Sequence, residues 1–96
     1  MGATTFGNTG KGATAQMAFD SLVQEARHEY GNGGYTGSIA EKSRFVMLTP
    51  PSGVTPNEYM ETLLDDDSSV VSDKWGPAGC IQLESGQWLF FGWASE

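Results

Sequence analysis

Apolar residues first become periodic at Ala15. Ala15, Ala18, Phe19, Leu22, Val23, Ala26 and Tyr30 recur at spacings of three and four, which predicts a helix with a single apolar stripe. Thr14 stands ahead of the stripe as a cap. Gly31 follows it, where the left-handed capping conformation carries no Cβ penalty. Asp20, Gln24, Arg27 and His28 form the opposite, polar face. After the turn at Asn32, Gly33 and Gly34, Thr36 to Ala40 and Arg44 to Leu48 read as two short strands joined near Glu41 to Ser43. Thr49-Pro50-Pro51-Ser52-Gly53 stops the second of them, because proline removes donors and fixes φ. A second helix starts at Thr55, with Pro56 in the first helical position and Glu58 completing a capping box. Its buried stripe is Tyr59, Met60, Leu63 and Leu64, and Asp65, Asp66 and Asp67 crowd its end, where negative charge opposes the helix dipole.

The most apolar run is WLFFGW, Trp88 to Trp93. Alternation puts Trp88 and Phe90 on one face and Leu89, Phe91 and Trp93 on the other, as expected of a strand covered on both sides. It pairs in this reading with Cys80 to Leu83 through the turn Glu84-Ser85-Gly86-Gln87. Residues 1–12 have little periodicity and read as a flexible N-terminal arm with room for a short strand around Thr4 to Phe6. A single domain over 13–96 follows. Setting Gly34 on Gly76 also superimposes Gly37 on Gly79, Ile39 on Ile81 and Ser43 on Ser85, and brings Thr14 onto Pro56. Each half then reads helix, glycine turn, strand, strand. The expectation is an α+β fold: an αββαββ pseudo-repeat with a four-stranded, mainly antiparallel sheet and two helices on one face. Two helices cover one sheet face, so the other is left to the arm or to a second copy, and a homodimer is expected.

Charge changes the picture. The 96 residues carry a net charge of −7, with only Lys11, Arg27, Lys42, Arg44 and Lys74 basic. That excludes direct nucleic-acid binding through a basic face. Glu58, Glu61, Asp65, Asp66 and Asp67 cluster in a stretch without Lys or Arg. They form the candidate partner-binding surface, either a solubility feature or an attractor of a basic protein. No apolar run approaches the roughly 20 residues of a membrane span. One cysteine, Cys80, fits a reducing cytoplasm.

Candidate chemistry adds little. GNTGKGAT fails the phosphate-loop pattern G-x-x-x-x-G-K-S/T because Gly12 follows Lys11. Glu25 and His28 have metal-ligand spacing on a helix, but make half a site at most. No Ser/His/Asp set, C-x-x-C, H-E-x-x-H or calcium-loop pattern occurs, so neither an enzyme nor a cofactor is expected. The alternative site is a small-anion pocket built from the paired glycine turns, with Gly34, Tyr35, Gly37, Trp75, Gly76 and Gly79 supplying backbone amides and aromatic faces. A structural or assembly role is a third reading.

The run GGYTGSIAEK, with EARHEYG before it and KWGPAGCI downstream, resembles small bacteriophage-encoded proteins of unknown function. That resemblance implies action in the host cytoplasm by binding a host protein, as an inhibitor or in counter-defence, and it assigns no functional residues.

Overall fold

The run Trp88 to Trp93 lies where its two apolar faces require, inside a sheet with a helix on either side. The computed structural model describes residues 3–30 and 38–95. The elements are β1 (Ala3–Lys11), α1 (Ala15–Tyr30), a 3₁₀ turn (Ile39–Glu41), β2 (Phe45–Met47), α2 (Pro56–Asp65), β3 (Ala78–Glu84) and β4 (Gln87–Ser95). The fold is α+β. Its four strands lie in the order β1-β4-β3-β2, antiparallel except for the β2–β3 pair. A two-residue turn at Ser85 and Gly86 joins β3 to β4, with Gly86 at φ +79°. That value belongs to the left-handed region open to glycine.

Two cores flank the sheet. On one face Phe6, Ala78, Cys80, Trp88, Phe90 and Ala94 pack with Ala18, Phe19, Val23 and Ala26 of α1 and with Ile39. Phe19, Phe45 and Phe90 meet there with centroids 5.0 to 5.5 Å apart. On the other face Ile81, Leu89 and Phe91 pack with Val71, Leu48 and the stripe Tyr59, Met60, Leu63 and Leu64 of α2. The two tryptophan indoles of β4 tie opposite layers to the strand. Trp88 Nε1 donates to the Gly12 carbonyl ahead of α1, and Trp93 Nε1 donates to the Leu64 carbonyl near the end of α2.

Both helices begin as the caps predict. Thr14 Oγ1 accepts from Met17 N, and Thr55 Oγ1 accepts from Glu58 N, each at 3.2 Å. Four other expectations are corrected. Residues 3–11 of the supposed flexible arm are a nine-residue edge strand, paired with β4 along its whole length. Only one flank of that strand touches the core, so only Phe6 and Gly10 are buried and no alternation reaches the sequence. Thr36 to Ala40 was expected to be a strand, but Ile39 to Glu41 form the 3₁₀ turn, started by Ser38, whose side chain accepts from Ala40 N. Thr36 and Gly37 lie outside the described residues. The αββαββ repeat is therefore not a structural duplication. Ile39 belongs to the α1 core and Ile81 to the α2 core.

The fourth correction is that the helices cover opposite faces, not one. β1 and β3 both run against β4, and β2 runs with β3, so β1, β2 and β3 point the same way. The chain crosses the sheet from β1 to β2 through α1, then steps back one place to β3 through α2. Crossovers between parallel strands are right-handed, and opposite directions of travel with one hand require opposite faces. The apolar second face of β4, which motivated the expectation of a homodimer, is thus filled from within the chain by α2, Leu48 and Val71.

Candidate functional site

The second helix lies on its sheet face without burying any residue fully, so its acidic flank stays in water. Glu58, Glu61 and Asp65 are spaced by three and four and share that flank; all three are exposed. Glu61 and Asp65 line a shallow groove with Met60, Leu64 and Thr5 of β1. Thr55 holds the Glu58 amide, while the Glu58 carboxylate makes no reciprocal bond among the described residues and remains available. The structure therefore brings together three of the five expected partner-binding residues.

The other two behave differently. Asp66 caps the helix, its N–H donating to the Leu63 carbonyl. Its carboxylate accepts from the Ser68 hydroxyl at 2.7 Å and the Ser68 amide at 2.9 Å. Those bonds, the hydroxyl's first, hold the Asp66 carboxyl below its usual range. Its place at a helix C-terminus is explained by turn formation, which offsets the unfavourable dipole. Asp67 is exposed, and its carbonyl accepts from Ser72 Oγ. Ser69 Oγ closes the helix end by donating to the Leu63 carbonyl.

A second acidic flank was not singled out in the sequence. Glu25 and Glu29, one turn apart on α1, line a hollow with Leu22, Ala26, Ser38, Ile39 and residues Phe6 to Asn8 of β1. The signal was present as an i, i+4 carboxylate pair, but nothing local shows that β1 runs beside it. With α1 on one face of β1 and α2 on the other, the strand carries carboxylates along both sides.

Of the alternative glycine site, the structure places Trp75, Gly76 and Gly79. Gly34, Tyr35 and Gly37 lie outside the described residues. Gly79 is no surface turn: it pairs with Val46 on one side and Phe91 on the other, inside the sheet. A Cβ there would sit 2.7 Å from Phe91 Cζ, so glycine serves close packing rather than an anion. Trp75 is exposed with the Lys74 ammonium 5.5 Å from its ring centre. The Gly76 carbonyl accepts from Lys42 Nζ at 3.0 Å.

Lys42 is the polar residue that sequence reading missed. It is 2% exposed and its ammonium donates to the carbonyls of Lys74, Gly76 and, at 3.5 Å, Asp73. Burial pushes its pKa down, opposed chiefly by the Asp73 and Glu41 charges. This ammonium pins the loop before β3 to the 3₁₀ turn. Cys80 is buried in the α1 core, where desolvation raises its thiol to about 11. Such a thiol is not a nucleophile at neutral pH. Among the described residues, no three of His, Cys, Asp and Glu gather to hold a metal ion, and no helix is long and apolar enough to cross a membrane.

No family model, curated protein or solved structure matches the chain.

Proposed function

We propose that this protein is an acidic binding module that engages a basic site on another protein. The observation that carries the reading is the exposed flank Glu58, Glu61 and Asp65, whose carboxylates bond to no Lys or Arg among the described residues. A helix that buries none of its residues fully leaves these groups facing outward. Fixed like charges on one surface steer a cationic partner at long range, against a net charge of −7 on the whole chain. The likeness of GGYTGSIAEK to small phage-encoded proteins favours a host protein as that partner, with inhibition or counter-defence as the outcome.

The test immobilises the parent and a Glu58→Gln/Glu61→Gln/Asp65→Asn variant, and presents both with host lysate at low and high salt. Asp66 is left alone because it forms a turn. The expected result is capture of a basic protein by the parent that weakens as the Debye length shrinks from ~10 Å at 0.1 M to ~3 Å at 1 M salt. The variant, with an unchanged circular dichroism spectrum, should capture less of it. Capture indifferent to both salt and substitution would leave the acidic flank as a solubility feature only.

A further inference from the structure

We infer that the free edge of β1 is a strand-addition site for an extended, Lys/Arg-rich segment of a partner protein. The inference rests on the acidic-surface reading above and adds the shape of the partner and the backbone it pairs with.

The sheet has two edges, and they differ. β2 is three residues long, and Pro50 and Pro51 follow soon after it. A short edge near proline is the usual protection against unwanted pairing. β1 is nine residues long, contains no proline, and has one charged residue, Lys11, at its end. Among the described residues its ladder partner is β4 alone, and no other segment bonds to its outer side. A free edge of that length offers a row of amides and carbonyls that an extended peptide can pair with.

Charge selects the occupant. Successive side chains of an added strand point to opposite faces of the sheet. On the α1 face they meet Glu25 and Glu29 beside Phe6 to Asn8. On the α2 face they meet Glu61 and Asp65 beside Thr5. Consecutive cationic residues are therefore matched on both faces. Their aliphatic stems lie over Leu22 and Ala26 on one side, and Met60 and Leu64 on the other. Arg27 stands with Asp20, Gln24 and Lys42 around a different hollow, and Lys11 shares a hollow with Glu25 only at the end of the strand. A second copy of this chain is a poor occupant: edge-to-edge pairing would crowd the same carboxylates of two molecules, each of net charge −7.

The probe is a nine-residue peptide, TVTKKKTVT, titrated into the full chain by fluorescence anisotropy, with amide hydrogen exchange followed by NMR. A charge-matched control, TPTKKKTPT, has prolines that remove two donors and disfavour the ladder. The first peptide should slow exchange at amides within Ala3–Lys11 and bind at least several-fold more tightly than the control. The pairs Glu25→Gln/Glu29→Gln and Glu61→Gln/Asp65→Asn should each weaken it by roughly three- to tenfold, the scale of two exposed charge contacts. Equal binding of the two peptides, or unchanged exchange in β1, overturns strand addition while leaving the acidic-surface reading standing. Absence of binding at low salt overturns strand addition for this class of partner, and the lysate capture described above then decides the broader reading separately. Concentration-dependent protection of β1 without peptide would assign the edge to a second copy and overturn the inference.

Discussion

Gly79→Ala tests the α2 layer of the core directly. The added Cβ would sit 2.7 Å from Phe91 Cζ, 2.9 Å from Val71 Cγ1 and 3.0 Å from Leu48 Cδ1. Phe91 and Val71 are fully buried, so neither can swing into solvent to make room. Overpacking of this kind costs ~1–3 kcal/mol. Replacing glycine stiffens the unfolded chain and returns about 0.4–1 kcal/mol, because φ at Gly79 is not positive and alanine suits the backbone. The clash should prevail, with a net loss of about 1–2 kcal/mol. For a chain of this size that lowers Tm by on the order of 10 °C. The control is Gly7→Ala in β1, where the new Cβ would meet only the flexible end of Met60, Sδ at 3.4 Å and Cε at 3.9 Å. Urea denaturation followed by tryptophan fluorescence reads both, with the m-value checked for constancy. Adding Val71→Ala to Gly79→Ala should give a loss smaller than the sum of the two single losses, because one of the crowded atoms is removed. The reasoning fails if Gly79→Ala and Gly7→Ala melt within ~0.5 kcal/mol of each other, the scale of an unremarkable surface change.

Two further outcomes follow from the buried polar groups. Lys42→Met keeps the stem but leaves the Lys74 and Gly76 carbonyls without their donor; relief of the buried charge offsets part of that, and a net loss of about 1–3 kcal/mol is expected by chemical denaturation. An unchanged midpoint would mean that water replaces the ammonium at no cost. The Cys80 thiol, raised from 9.0 to about 11, contributes stability that is complete below pH 9 and lost as pH rises toward 11, since the unfolded chain ionises first. Lys42 titrates the opposite way: its lowered pKa makes stability rise with pH up to about 10.5. Comparison with Cys80→Ala isolates the thiol. The parent's advantage over that variant should shrink by roughly 2–3 kcal/mol between pH 8 and 11.5, and a constant gap would place the thiol in contact with water.

The local elements were legible in the amino-acid pattern alone. The stripe of α1, the Thr14 and Thr55 caps, the stop at Pro50 and Pro51 and the turn at Gly86 each depend on neighbours within a few residues, and each stands where periodicity and capping put it. The demand that β4 be covered on both faces was also legible, because alternation along one strand is a local property. What covers it was not. Placing α1 and α2 on opposite faces depends on the hand of two crossovers and on the strand order, and both are properties of the whole chain. β1 was invisible for a related reason: an edge strand with one buried aromatic carries almost no alternation, and its nine residues are ordered by pairing with β4, more than seventy residues away. Lys42 reads as part of a polar turn until carbonyls from residues 73–76 close over it. The candidate site divides along the same line. Glu58, Glu61 and Asp65 share a helix flank by local spacing alone. The placement of Glu61 and Asp65 on one side of β1 and of Glu25 and Glu29 on the other exists only in the tertiary structure, because charges distant in sequence become neighbours only when the sheet between the helices has formed.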